Sequence, residues 1–260
     1  MLEFTAHNVM LADGSQTLPT VAPLEHGPAY RAVLRTALEL CPPIDSNGNR
    51  ATLVDLGALE GGWTTLFARA GYDTLGIEAR ESNFAHCEFV REHADEDRLH
   101  FALDDVRNLA DHGVFDACFC SGLLYHLDAP AELLRLIGDV TSRLLIVHTH
   151  YAPDTLEHSN YADHLSDLCV HDGRRGRWFQ EWPEDATPAE IETYRWASVG
   201  NHQSFWLCKH DLMQAMIDAG FSVVYEQHDF LGDVAGSDYQ QTENRSLFIG
   251  LKPQVTLPVA

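Results

Sequence analysis

Short apolar runs recur along the chain, and polar or glycine-rich positions separate them. A run that begins at residue 52 and further runs at residues 74–78, 99–103, 114–120 and 144–147 have the length and composition of buried β-strands. Helical stretches lie between them. From about residue 51 to 150, this alternation predicts a mostly parallel sheet with helices on both faces.

The C-terminal part of the chain adds a helix and two more strands to this pattern. The helix is predicted at residues 209–219, before Gly220, and residues 221–227 and 246–251 resemble a closing antiparallel pair. Together with the five earlier runs, these strands predict a sheet of seven.

The N-terminal segment has a different pattern. Residues 7–18 place strand-like residues on both sides of Asp13-Gly14, which indicates a hairpin. Residues 28–41 follow as a helix, with Pro28 tolerated in the first turn. We therefore predict that residues 1–45 form an N-terminal hairpin and cap helix.

The alternation is also interrupted after the fifth strand. Residues 152–205 contain two tryptophan-centred clusters, at 177–182 and 196–198, and few long apolar runs. A stretch of this kind between core strands is typical of an insertion that serves as a lid or substrate wall. We predict one domain over residues 46–260 with an insertion at about 152–205.

The turn after the first strand is the most informative segment. Asp55 is followed by glycines at 57, 61 and 62 and then by a helix, so a ligand can approach the backbone closely. About 20 residues further on, the second strand ends in Glu78, where a carboxylate can accept hydrogen bonds from ribose hydroxyls. These features indicate a nucleotide-type pocket at the carboxyl edge of the sheet.

Four motifs in order resemble those of the class I S-adenosylmethionine-dependent methyltransferases. They are the turn from Asp55 to Gly62, the acidic Glu78, the pair Asp105-Val106, and the stretch from Phe115 to Leu127. The Leu-Tyr-His-Leu sequence at 124–127 is similar to a subgroup that includes the tRNA uridine-34 carboxymethyltransferases. The resemblance covers about residues 7–252.

The resemblance implies a Rossmann-like methyltransferase fold, S-adenosylmethionine as cofactor and a leader that caps the cofactor site. The cofactor residues that we predict are Asp55, Gly57, Gly61, Glu78, Asp105, Val106, Ser121 and Tyr125. Leu59-Glu60 stands where many members have a glycine, and the charge of Glu60 disfavours a pyrophosphate ligand. Glu60 is interpreted either as an exposed loop carboxylate or as a direct cofactor contact.

Three histidines are candidates for a general base, because imidazole titrates near neutral pH. His148 and His150 follow the fifth strand, and His126 belongs to the fourth motif, where it is alternatively a structural or a wall residue. A base is needed only if the acceptor loses a proton. A metal site at His148, His150 and Asp154 is an alternative on ligand type, but we assign no metal.

The acceptor pocket is predicted from aromatic residues near the insertion. The candidate substrate residues are Tyr151, Trp178, Phe179, Trp206 and Arg245. For the aromatic residues, the alternative is packing of the insertion against the sheet. In the resembled tRNA enzymes, a Tyr and an Arg matching Tyr125 and Arg245 help to hold a carboxylate of the cofactor, but a further Lys has no counterpart here. Arg245 is therefore interpreted as a contact for an acceptor carboxylate or as part of a structural ion pair.

The charge of the chain restricts its partners. The formal net charge is −22, and only two lysines occur, so a nucleic-acid partner is disfavoured. The arginines at 174, 175 and 177 are interpreted as a solvated face. Cys118 and Cys120 lie in an apolar strand and are read as small buried hydrophobes.

The sequence predicts an S-adenosylmethionine-dependent methyltransferase that acts at oxygen or nitrogen of a small organic acceptor. No apolar run approaches the length of a membrane span, and the N-terminus lacks the features of a signal peptide, so we expect a cytoplasmic protein without a membrane partner. The oligomeric state is left open. The alternatives are a tRNA-modifying methyl or carboxymethyl transferase and a non-catalytic cofactor-binding subunit.

Overall fold

The predicted strands form a seven-stranded sheet in the computed structural model, which describes residues 2–229 and 242–253. In the sheet order β3-β2-β1-β4-β5-β10-β9, the strands are parallel except β10, which runs antiparallel to β5 and β9. The bounds of these strands are β1 Thr52–Leu56, β2 Asp73–Glu78, β3 Leu99–Leu103, β4 Phe115–Ser121, β5 Thr141–His150, β9 Val223–Gln227 and β10 Arg245–Leu251. The predicted fold class is confirmed.

Helices cover both faces of the sheet. They are α1 Pro28–Leu40, α2 Gly62–Arg69, α3 Glu81–His93, α4 Pro130–Val140, α5 Pro188–Ile191 and α6 Lys209–Asp218. Short 3-10 turns lie at Leu24–His26, Val106–His112, Leu124–His126 and Ala162–His164. Within the described ranges, no helix combines the length and apolarity needed to cross a membrane.

The core has one apolar layer on each face of the sheet. In β4, Cys118 and Cys120 pack into the layer that includes α4 and α6, whereas Ala117 and Phe119 pack into the layer that includes α1. This alternation follows from the two-residue period of a strand. Both cysteines are fully buried, as their apolar surroundings predicted.

The aromatic-rich segment after β5 contains a small antiparallel sheet. Its strands are β6 Cys169–His171, β7 Arg174–Gln180 and β8 Gln203–Leu207. β8 leads directly into α6. An isolated parallel bridge joins Ala152, two residues after β5, to Cys208, directly after β8, so the small sheet sits beside the carboxyl end of β5.

The interpretation of the three arginines as a solvated face is wrong for Arg177. Its side chain is buried, and its guanidinium donates hydrogen bonds to the carbonyl oxygens of Pro153, Asp154 and Ser166. Buried polar groups need such partners. Arg177 therefore joins β7 to the chain that leaves β5, while Arg174 and Arg175 form ion pairs with Asp218 and Asp211.

The predicted N-terminal hairpin is reduced to a tight turn with one antiparallel bridge, between Met10 and Gln16. Side chains replace the missing strand ladder: the Thr17 hydroxyl accepts from the Val9 N–H and donates to the carbonyl oxygen of His7. The division of the chain at residue 45 and the limits of the insertion stay predictions.

Candidate functional site

A cavity of about 330 Å³ lies at the carboxyl ends of β1, β2 and β4. Its lining includes Gly57 after β1, Glu78 at the end of β2 and Ser121 at the end of β4. Ligands of open α/β sheets bind at this edge, and the volume is in the range of small-molecule pockets.

The cavity brings together most of the residues that we predicted for the cofactor. Its lining contains Asp55, Gly57, Glu78, Asp105, Val106, Ser121 and Tyr125. Gly61 is outside the lining and precedes α2 with a φ of 78°. A Cβ on Gly61 would lie 2.8 Å from the ring of Phe101, so glycine is needed for the turn and its packing.

Glu78 holds the loop that follows β1. Its Oε2 accepts a hydrogen bond of 2.8 Å from the Leu59 N–H, and its Oε1 accepts one of 2.8 Å from the Arg80 N–H. Burial raises the pKa of Glu78 despite these donors. The carboxylate thus fixes the loop and also lines the cavity.

Asp55 is a second buried acid of the cavity. The Thr64 hydroxyl donates to its Oδ2 at 2.6 Å. Burial, with a further contribution from the neighbouring Glu78, raises the pKa of Asp55 to about 7. Two desolvated carboxyl groups in one cavity favour a ligand that brings positive charge.

Asp105 is a third acid of the cavity, and it shapes the turn beside it. Its Oδ1 accepts a hydrogen bond of 2.9 Å from the Arg107 N–H, which caps the turn at 106–112. The guanidinium of Arg107 also contacts Asp105 and Asp128, at 3.0 and 2.9 Å. Charges on this rim of the cavity are therefore already paired.

The interpretation of Glu60 as an exposed loop carboxylate is wrong, and its contact with the cofactor stays a prediction. Its residue is only 2% exposed and lies outside the lining of the cavity. The carboxylate accepts backbone hydrogen bonds from the leader, at 2.8 Å from Thr5, 3.0 Å from Ala6 and 2.8 Å from His7. These hydrogen bonds offset the cost of burying the carboxylate, and Glu60 holds the N-terminal segment in position.

His7 lines the cavity, although sequence reasoning did not select it. Its Nδ1 accepts a hydrogen bond of 3.0 Å from the Gly62 N–H at the start of α2. No spacing rule links a residue of the leader to a helix 55 positions later. The family resemblance implied only that the leader covers the cofactor site, without naming a residue.

Of the three candidate bases, His126 lines the cavity and His148 and His150 do not. His126 Nδ1 lies 2.9 Å from Oε1 and 3.0 Å from Oε2 of Glu181, whose side chain is 1% exposed. Glu181 was not predicted. It comes from the aromatic-rich segment, far from His126 in sequence.

His148 and His150 lie behind the cavity wall. His148 Nδ1 is 3.4 Å from the Ser121 hydroxyl, and burial together with nearby Arg245 lowers the pKa of His148. His150 donates through Nδ1 to the Glu243 carbonyl oxygen at 2.8 Å and stacks on Trp206, and burial lowers its pKa to about 3. Both imidazoles are neutral near pH 7.

Among the predicted substrate residues, Arg245 lines the cavity. Its Nε has no hydrogen-bond partner within the described part of the chain, and its guanidinium lies 5.7 Å from the ring centre of Tyr125. Tyr151, Trp178, Phe179 and Trp206 are outside the lining. Trp206 is 1% exposed and stacks on Phe179, with ring centroids 4.9 Å apart. This arrangement agrees with the alternative that the aromatic residues pack the insertion against the sheet.

The cavity has a roof that we define as residues 195–200. All six line the cavity. Two hydrogen bonds hold the roof in position. The Ser198 N–H donates to Glu181 Oε2 at 3.1 Å, and Arg80 donates to the Ala197 carbonyl oxygen at 3.4 Å. The tryptophan cluster at 196–198 was the sequence signal for it.

A family model described as a methyltransferase domain matches residues 24–226. The chain belongs to this family of methyltransferase domains. The match includes β1, β2 and β4, whose carboxyl ends border the cavity, whereas Arg245 at the start of β10 lies outside it. The predicted resemblance to class I methyltransferases is confirmed.

Solved structures share the fold of this methyltransferase. The N-terminal domain of EvdMO1, with SAH bound, matches with a TM-score of 0.65 and 26% identity over 92% of this chain and 86% of that chain. A longer EvdMO1 structure matches at 26% identity and a TM-score of 0.56. This match covers 86% of this chain but only 41% of that chain. Magnesium protoporphyrin IX methyltransferase from Synechocystis PCC 6803, with SAH bound, shares the fold at 14% identity and a TM-score of 0.52, over 86% of this chain and 81% of that chain. No curated protein sequence matches the chain.

Proposed function

We propose that this methyltransferase transfers a methyl group from S-adenosylmethionine to oxygen or nitrogen of a small organic acceptor. The observation that carries the proposal is the cavity lined by three acids, Asp55, Glu78 and Asp105, at the strand ends of a methyltransferase domain. A cationic nucleoside without phosphate groups fits this lining better than a nucleotide does, because carboxylates repel phosphate.

The residues of the cavity match the chemistry of the cofactor. S-adenosylmethionine, when bound, supplies a methyl group on a positively charged sulfur. Glu78 would accept hydrogen bonds from the ribose hydroxyls, Asp105 and Val106 would border the adenine, and Asp55 would face the positively charged end. Gly57, with a φ of 75°, allows the backbone of the loop to approach the ligand.

The acceptor binds beneath the roof, in the part of the cavity formed by the turn after β4. Leu123, Leu127, Trp196 and Val199 give this part apolar walls. Apolar walls exclude water from a methyl donor, and they hold the acceptor in line with it. Arg245 offers a cation for an acidic group of the acceptor.

His126 is the general base of the proposal. Because its Nδ1 faces the Glu181 carboxylate, the proton of the neutral imidazole is on Nδ1 and Nε2 is left as the acceptor. Glu181 thereby orients the ring, as the acid of a catalytic triad does. In this arrangement, Nε2 takes the proton that the acceptor loses on methylation.

A methyl-transfer assay tests the proposal. Methyl-tritiated S-adenosylmethionine is incubated with the protein and a small-molecule cell extract, and labelled products are separated by size. We expect label in small molecules, and we expect His126→Gln to lower kcat by about 10²- to 10⁴-fold with unchanged cofactor affinity. His100→Gln, on the exposed edge strand β3, is the matched control.

The same assay distinguishes the alternatives. Label that enters added tRNA and no small molecule would establish the tRNA-modifying reaction. A protein that binds S-adenosylmethionine and transfers no label to either fraction would be a non-catalytic cofactor-binding subunit.

A further inference from the structure

Residues 4–9 of the N-terminal leader are fixed to the loop between β1 and α2. Three consecutive backbone N–H groups, of residues 5, 6 and 7, donate to the carboxylate of Glu60, and the Thr5 hydroxyl donates to it at 3.0 Å. Burial alone would raise the pKa of Glu60, but the backbone donors hold it below its ordinary value. Phe4 and Val9 are buried in a cluster with α2 and α3. The leader therefore has a defined position beside the cavity.

His7 is the residue of the leader that reaches the cavity. Its Nδ1 accepts the Gly62 N–H, so the neutral ring carries its proton on Nε2. Burial lowers the pKa of His7 to about 4, partly offset by the nearby Glu60, which keeps the ring neutral near pH 7. A Cβ on Gly62 would lie 2.7 Å from His7 Cγ, so a glycine at this position is required for the contact. His7 is thus a donor with a fixed tautomer.

The cofactor of the proposed function has one group that the acids of the cavity do not suit, which is the carboxylate of its amino-acid part. Four arginines line the cavity: Arg80 contacts Glu192 at 3.1 Å, and Arg107 is paired with Asp105 and Asp128, whereas Arg195 belongs to the roof and Arg245 is assigned to the acceptor. His7 lies at the N-terminus of α2, where the helix dipole favours an anion. A neutral N–H donor at this end of the cavity suits a carboxylate.

We propose that His7 donates its Nε2–H to the carboxylate of the cofactor, so that the leader completes the cofactor site. The inference rests on the proposed function, and it concerns a residue outside the segment 24–226 that the family model matches. Glu60 is a positioning residue in this scheme, because it holds the backbone that carries His7 and lies outside the cavity lining.

Calorimetric titration with two ligands tests this contact. One ligand is S-adenosylhomocysteine, and the other is its decarboxylated analogue, in which hydrogen replaces the carboxylate. Asn places its side-chain oxygen near the position of Nδ1, so His7→Asn keeps an acceptor for Gly62 and removes the Nε2 donor. We expect His7→Asn to weaken S-adenosylhomocysteine by about ten- to a hundredfold and to leave the analogue unchanged. His7→Gln, which restores an N–H near Nε2, should recover part of the loss.

Two controls separate the contact from general loosening of the leader. His86 also holds the leader, through Glu3 and the ring of Phe4, but it does not line the cavity. His86→Gln should weaken both ligands equally or neither. Arg245→Gln should leave the preference for the carboxylate unchanged.

The inference is overturned if His7→Asn binds both ligands like the wild type or weakens both equally. It is also overturned if the preference for the carboxylate disappears in Arg245→Gln, because Arg245 would then hold that group. A wild-type protein that binds neither ligand would instead refute the proposed function, so the two failures are distinguishable.

Discussion

At the scale of single residues, the site depends on acids that folding places in an unfavourable environment. Asp55 is 3% exposed, and burial together with Glu78 raises its pKa from 3.8 to about 7. Between these two values the folded state binds a proton that the unfolded state has released. Stability therefore falls as the pH rises through this window.

We predict that Asp55→Asn is more stable than the wild type at high pH. An amide cannot ionise, and its oxygen can still accept the hydrogen bond from Thr64. The stability difference should grow by about 2–3 kcal/mol between pH 5 and pH 8, while cofactor affinity falls. Urea unfolding at both pH values measures the difference, with the exposed Asp111→Asn as control. A difference that does not change with pH would contradict the prediction.

The sequence predicts site residues at strand ends well, and it predicts residues with distant partners poorly. Asp55, Gly57, Glu78 and Asp105 were predicted to share a cavity because each lies at or just after the end of a recognisable strand, and strand ends meet at one edge of a sheet. Glu60 and His7 were not assigned correctly because their partners are 55 or so positions away. Contacts of this kind depend on how the leader folds back, which no local pattern encodes.

At the scale of elements, strands with apolar runs were predicted nearly to the residue. Leu99–Leu103 matches its prediction, whereas β5 extends from the predicted 144–147 to Thr141–His150. The polar end of β5 stays extended because β10 pairs with it as far as His150. β6, β7 and β8 were missed; in β7, Arg174 and Arg175 give a charged start that resembles a loop.

The tryptophans of the aromatic-rich segment should respond differently to substitution. Trp206 is buried between Phe179 and His150, so Trp206→Ala should lower the free energy of unfolding by about 3–5 kcal/mol. Trp196 is 58% exposed on the roof, so Trp196→Ala should change stability by less than about 0.5 kcal/mol. It should nevertheless reduce acceptor turnover.

Denaturant unfolding and steady-state kinetics together check this pair. If Trp196→Ala turns over the acceptor like the wild type, residues 195–200 do not form the acceptor wall. If Trp206→Ala is as stable as the wild type and loses turnover, Trp206 belongs to the pocket instead.

At the scale of the whole molecule, charge decides between partners. The net charge of −22 repels polyanions, and Arg107, Arg174 and Arg175 are each paired with aspartates. We predict no retention of tRNA in an electrophoretic shift assay at physiological salt. Micromolar retention that weakens as salt is added would contradict this prediction and favour the tRNA-modifying alternative.

The central claim is that the acid-lined cavity binds S-adenosylmethionine through Glu78. Isothermal titration of the cofactor into wild-type protein, Glu78→Ala and the exposed control Glu81→Ala tests it most directly. We predict one cofactor per chain, affinity weakened by about 2–4 kcal/mol in Glu78→Ala, and wild-type affinity in Glu81→Ala. A folded Glu78→Ala protein that binds the cofactor as tightly as the wild type, or a wild-type protein that does not bind it, would contradict the claim.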